Sequence, residues 1–95
     1  MVKHIVLFKL KDKKDTQKAV DTLNSMKGKI EGLLSLEVGV DFLHSERSYD
    51  IALITTHINR EALDFYQAHP VHQPVKTIMH AIRESSVAVD FEYEK

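Results

Sequence analysis

The segment Val2-Lys3-His4-Ile5-Val6-Leu7-Phe8-Lys9-Leu10 decides the fold of this chain. In an extended backbone successive side chains leave opposite faces, which puts His4, Val6, Phe8 and Leu10 on one side and Ile5 and Leu7 on the other. Both sides are apolar, so the segment reads as a strand covered twice. A chain of 95 residues forms one domain with one core and buries roughly 60–65% of its unfolded surface. Its own helices can hide one side of a sheet. The other side is expected to pack on the same side of a second subunit.

Working outward, Ala19, Leu23, Met26 and Ile30 fall at i, i+4, i+7 and i+11, one stripe of a helix that Gly28 or Gly32 can end. Leu34, Leu36, Val38, Val40 and Phe42 alternate with polar or small residues, the clearest period of two in the chain, and predict a second strand. A polar turn over residues 43–48 leads to a β-branched, apolar run over 49–58, its antiparallel partner. Asn59 can cap a short helix from Arg60 to about Ala68, which Pro70 breaks. A further helix is expected from about 71 to 84, with a first turn made irregular by Pro74. Residues 85–93 close the order as a strand with Val87, Val89, Phe91 and Tyr93 on one side. The sum is βαββαβ with a split second helix: an α+β, ferredoxin-like, four-stranded antiparallel sheet with helices on one face, two copies of which close into a dimeric α+β barrel.

Composition narrows the function. Thirteen basic and fourteen acidic side chains nearly cancel, and Asp12 and Asp15 interrupt the cluster of Lys9, Lys11, Lys13 and Lys14, so binding to nucleic acid or to a membrane surface is disfavoured. There is no cysteine, which removes disulfides, thiolate catalysis and zinc-thiolate sites and suits a reducing interior. The longest N-terminal apolar run, residues 5–8, is too short for a signal core or a membrane span, and the expected location is cytoplasmic. A glycine-rich phosphate loop, a serine nucleophile motif and a pair of carboxylates at helical spacing are all missing, so ATP-dependent and covalent hydrolase chemistry are disfavoured. No metal or organic cofactor is expected.

Around Pro70 the sequence gathers groups that exchange protons near neutral pH, in Tyr66-Gln67-Ala68-His69-Pro70-Val71-His72-Gln73. His72 can serve as a general base, since neutral imidazole accepts a proton, and the Tyr66 phenol can orient an oxyanion. The alternative for each is upkeep of the fold. His69, held extended by the proline after it, suits the start of a helix. His4 shares its strand face with Val6 and Phe8, and its bonding partner decides between a core histidine and an acid-base group. His69 and His72 have a chelating spacing, but Pro70 lies between them and no third ligand is near, so no metal site is assigned. His44, His57 and His80 are scattered and read as surface residues.

Four blocks in order, at 2–9, at 30–39, in the pair Tyr49-Asp50 and at His69-Pro70-Val71-His72-Gln73, resemble the stress-responsive dimeric α/β-barrel family, often called Dabb. The resemblance spans nearly the whole chain as one domain, 1–95, and implies the same dimeric barrel. Most members of that family have no assigned activity, some plant members accompany stress responses, and a few are cofactor-free polyketide cyclases. In the cyclase type a cavity between sheet and helices is lined by positions that match His4, Tyr66 and His72. A strand-three histidine and a helix-one tyrosine of that type have no counterpart here, since 49–54 holds no histidine and the first helix no tyrosine. An ion held by backbone carbonyls near 30–33 is a further feature of some members. The function implied is binding of a small aromatic or polyketide-like ligand, with cyclase- or isomerase-like acid-base chemistry by His72, Tyr66 and His4 and with His69 among the ligand contacts. The alternatives are a non-catalytic stress-associated or assembly module and a cofactor-independent monooxygenase.

Overall fold

A computed structural model describes residues 1–94. The elements are β1 (Val2–Leu10), α1 (Thr16–Asn24), β2 (Leu33–Val40), β3 (Ile51–His57), α2 (Arg60–Ala68), α3 (His72–Ile82) and β4 (Arg83–Glu92), with one 3-10 turn, Lys13–Asp15, leading into α1. The four strands form one antiparallel sheet in the order β2-β3-β1-β4. This is the ferredoxin-like plan read from the sequence.

The two-faced β1 sits in the middle of the sheet, where both of its edges are paired. Val2, His4, Phe8 and Leu10 are buried on the helix side. There they meet Leu36 of β2, Ile51 and Leu53 of β3, and a helical layer in which Ala19 and Leu23, Ala62 and Tyr66, and Val75, Met79 and Ile82 recur at helical spacing. On the opposite side Ile5 and Leu7 of β1 pair across to Val89 and Val87 of β4 and to Ile54 and Ala52 of β3. Val87 is 47% exposed, Val89 53% and Phe91 43%, so an apolar sheet face stands open to solvent in the single chain.

Several boundaries differ from the sequence reading. The α1 helix stops at Asn24, yet Met26 and Ile30 remain buried, carried into the core by a series of turns rather than by helix. Gly28 and Gly32 both take the left-handed region, with φ of 76° and 85°. At Gly32 a second constraint applies, because a Cβ there would stand 2.9 Å from that of Ala62, so the start of β2 can lie against α2 only without a side chain. A register shift between Leu33 and Ser35 makes Leu34 the unpaired residue of a bulge and leaves it exposed, contrary to its expected place in the alternation. Phe42 lies beyond β2 and is 89% exposed. The final strand begins at Arg83, two residues earlier than expected, because α3 ends at Ile82 and Arg83 already has an extended backbone.

The Tyr49-Asp50 pair has a structural role at the mouth of the β1–β3 ladder. The Asp50 carboxylate accepts from the Leu10 N–H at 2.8 Å, and its own N–H donates to the Phe8 carbonyl at 2.8 Å. Asn59 caps α2 as expected, its side-chain oxygen accepting from the Ala62 N–H at 2.8 Å.

Candidate functional site

A half-open cavity of about 290 Å³ lies between the helix side of the sheet and helices α2 and α3. Val6, Phe8 and Leu53 form its floor, and Leu23, Val75 and Met79 close it from the helices. His4, Tyr66 and His72 all line it, so the three residues picked out in the sequence converge on the helix-covered side.

The break at Pro70 produces the convergence. Tyr66 ends the buried face of α2, the chain turns at His69 with the His72 N–H donating to the His69 carbonyl at 2.9 Å, and His72 opens α3. The two rings stack with centroids 4.3 Å apart and planes 28° from parallel. The His72 Nδ1 lies 3.1 Å from the Tyr66 carbonyl oxygen. A carbonyl only accepts, so Nδ1 carries the proton and Nε2 keeps its lone pair, with no hydrogen-bond partner among the described residues. Burial, reinforced by the nearby cation of Lys76 and outweighing the Tyr66 carbonyl, lowers the His72 pKa to about 4. At pH 7 the ring is therefore a neutral base with one nitrogen open.

His4 reaches the same ring from the sheet, edge to face with Tyr66 at 6.0 Å. Its Nδ1 is bound by the carboxylate of Asp90, which stands directly across the β1–β4 ladder. That contact fixes the tautomer and orientation of His4, the role a carboxylate plays behind an imidazole in many acid-base sites. Asp90 was not singled out in the sequence. Only the strand register, which pairs position 4 with position 90, brings the two together.

His57 was also missed. It was assigned to the surface, but it is fully buried, with its ring 5.0 Å from that of Tyr66 and its Nε2 2.9 Å from the Thr55 hydroxyl. Burial is the main cause that holds its pKa down at about 4. Strand three thus does bring a histidine to Tyr66, from its far end rather than from positions 49–54. His69 stands apart from the cavity. Its Nδ1 accepts from the Val71 N–H at 3.0 Å and its ring packs on Phe65, an arrangement that serves the start of α3. His44 is exposed in the β2–β3 loop, and His80 is exposed at the cavity rim.

The Tyr66 hydroxyl and His57 Nδ1 are both sealed and without a hydrogen-bond partner among the described residues. Burial alone pushes the Tyr66 pKa up to about 12, so the phenol stays protonated. An unpartnered buried hydroxyl costs about 1–3 kcal/mol. Tyr66→Phe is therefore expected to leave the urea-unfolding free energy unchanged or to raise it by about 1 kcal/mol. A loss of more than about 1 kcal/mol would mean that the hydroxyl has a partner in solution, a buried water or a ligand.

Nothing in the cavity is arranged as a metal centre. Among the described residues no three histidine, aspartate or glutamate side chains are grouped to hold an ion, and His69 and His72 each turn Nδ1 to their own backbone. Of the carbonyls near 30–33, that of Ile30 accepts from the Leu33 N–H and that of Gly32 from the Ile58 N–H.

This sheet and its helical layer define a ferredoxin-like α+β domain with a polar-lined cavity under the helices. The chain belongs to the stress responsive A/B barrel domain family, whose profile matches residues 2–93. It is similar to a dimeric protein of unknown function and ferredoxin-like fold from Bacteroides fragilis, with 33% identity over 97% of this chain and 95% of that one and a TM-score of 0.78. A hydroxynitrile lyase from Passiflora edulis has the same fold, with 13% identity, 99% and 94% coverage and a TM-score of 0.83. So does an antibiotic biosynthesis monooxygenase, with 15% identity, full coverage of both chains and a TM-score of 0.76. At that distance the last two show the fold alone. No curated protein sequence matches this one. No helix among the described residues is long and apolar enough to cross a membrane.

Proposed function

We propose that this protein binds a small, aromatic or polyketide-like molecule in the cavity and moves a proton on it without a cofactor, in a cyclase- or isomerase-like reaction. The observation that carries the reading is His72, whose Nδ1–H is fixed on the Tyr66 carbonyl while a neutral Nε2 has no hydrogen-bond partner among the described residues. In the reaction Nε2 takes a proton from an acidic carbon of the ligand. His4, its Nδ1–H held by Asp90, faces the same space with Nε2 as an acceptor that orients a hydroxyl of the ligand, and the proton taken up at His72 Nε2 is returned to a second atom of the ligand, which completes the isomerisation. Tyr66 holds His72 by stacking and by its carbonyl; its sealed hydroxyl meets a ligand only if the ring shifts.

The same proposal includes a homodimer in which the open sheet faces of two copies close the barrel. It is supported by the apolar face formed by Ile5, Leu7, Val87, Val89 and Phe91 and by the dimeric relative.

The test is a panel of aromatic and polyketide-like compounds titrated into the wild type and His72→Ala. The expected result is saturable binding with turnover that falls at least about 100-fold in the variant, the usual scale for loss of a general base. Turnover should be flat from pH 8 to about pH 6 and decline toward pH 4 as His72 takes up a proton. Binding without turnover would make the protein a non-catalytic binding module. Turnover that stops when oxygen is removed would favour the monooxygenase, a chemistry that this fold hosts in the relative of that name.

A further inference from the structure

The rim of the cavity has a charge that proton transfer at His72 does not use. Lys76 and His80 on α3 and Arg83 at the start of β4 all line it, beside the neutral Gln67 and Ser86, and among the described residues no aspartate or glutamate does. Neither Lys76 nor Arg83 makes an ion pair among the described residues. Asp90 is engaged with His4 and lines a separate depression with Arg60 and Glu92.

Both cations are held in place rather than left to wander. The Lys76 ammonium donates to the Gln67 carbonyl at the end of α2, at 2.5 Å, and so has two of its three N–H bonds to offer. The half-buried Arg83 guanidinium donates one N–H to His80 Nδ1 at 2.9 Å, which leaves the rest of its planar fork available. Since His80 accepts from Arg83 at Nδ1, its neutral form carries the proton on Nε2 and can donate as well. Three donors, two of them charged, thus ring an apolar floor made by Val6, Phe8 and Leu53. Lys76 is exposed and Arg83 half-buried, so water meets part of their charge, but with no carboxylate lining the cavity among the described residues an anion at the rim gains charge-assisted bonds from both.

We propose that the ligand is a small carboxylate, whose apolar body lies on the floor and whose carboxylate group is held at the rim by Lys76 and Arg83. The inference rests on the cavity being the ligand site, as set out above, and adds the chemical class of what enters it. The volume limits the body to about one ring or a short chain, since it lies at the bottom of the roughly 300–1,000 Å³ span of small-ligand sites. A carboxylate suits the donors better than a neutral carbonyl because a guanidinium fork binds two oxygens at once, and such charged bonds are about twice as strong as neutral ones.

The experiment titrates the full chain at pH 7.5 with benzoate and with its neutral counterpart benzyl alcohol, following backbone amide shifts around residues 76–83 by NMR. Benzoate is expected to saturate and to bind at least about tenfold more tightly than the alcohol, equivalent to about 1.4 kcal/mol. The preference should shrink when salt is raised from 0.05 to about 0.5 M and should vanish in Lys76→Met and Arg83→Met. The salt series needs no variant, so the inference can be tested even if one substitution impairs folding. Equal affinity for acid and alcohol, a preference indifferent to salt, or no saturation by benzoate up to about 10 mM would overturn it. The two readings fail separately. A His72→Ala protein that still prefers benzoate but has no turnover deficit removes the acid-base chemistry and keeps the anion, whereas equal binding of alcohol and acid with His72-dependent turnover does the reverse.

Discussion

Sedimentation at micromolar concentration is expected to show two chains for the wild type and one for Val89→Lys. Val89 sits opposite Ile5 in the β1–β4 ladder, flanked by Val87 and Phe91, and all of these point away from the helices. A monomer would hold this group of large apolar side chains in water, where burial of each is worth about 1.5–3 kcal/mol. In a two-fold interface one substitution acts twice. An ammonium placed in the middle of the closed sheets has no partner there, at a cost of about 3 kcal/mol or more per copy, which raises the dimer dissociation constant by roughly four orders of magnitude. The folded chain should survive in the variant to the extent that the helix-side core, from Phe8 to Met79, suffices alone. A wild type that stays monomeric at these concentrations would remove the barrel from the proposal and leave the single-chain cavity untouched.

How much of this was legible in the sequence depends on whether a residue's environment is set by its neighbours in the chain or by its neighbours in space. The alternation in β1 told both of its faces correctly, since in a central strand every second residue meets one layer. Asn59 and Pro70 marked helix boundaries because capping and the missing N–H are local properties. His57 was misread because Thr55, Thr56 and His57 are buried in succession at the end of β3, so no polar-apolar alternation signals which of them lies under α2. Asp90 looked like an ordinary member of the polar side of β4. Its tie to His4 comes from register, a long-range quantity that the chain does not print locally. Leu34 was lost to a bulge, which shifts the parity of a strand without changing its composition. At the cavity, residue types around Pro70 and on β1, together with family resemblance, singled out His4, Tyr66 and His72, and the structure places all three along one pocket. The cationic rim was not found, since Lys76, His80 and Arg83 look like solvent-exposed charges on a helix until the cavity is seen beside them.

Acidification from pH 7.5 to about pH 4.5 is expected to lower the thermal midpoint sharply, because the fold holds two histidines in their neutral form. His57 and His72 both have pKa values pushed down to about 4 by burial, whereas in the unfolded chain they return to the ordinary value near 6.5. Above about pH 6.5 both states leave these rings neutral and the full stability is present. Between about 6.5 and 4 the unfolded chain binds protons that the folded one refuses, so stability falls as the pH falls through that window. Each ring contributes on the order of 3 kcal/mol by the lower end of the window, a large part of the 5–15 kcal/mol typical of a domain. The midpoint should be measured at one fixed protein concentration, since association also stabilises. Carboxylates begin to titrate near the bottom of the same window, which is why the decisive comparison is with His57→Gln and His72→Gln. Each variant keeps a neutral polar group and removes one of the two titrations, so each should flatten the slope by about half. A midpoint that holds constant down to pH 4.5 would show that neither ring is kept neutral. A slope unchanged in His72→Gln but almost abolished in His57→Gln would show that His72 takes up protons in the folded chain as easily as in the unfolded one, and would withdraw the neutral base on which the proposed chemistry depends.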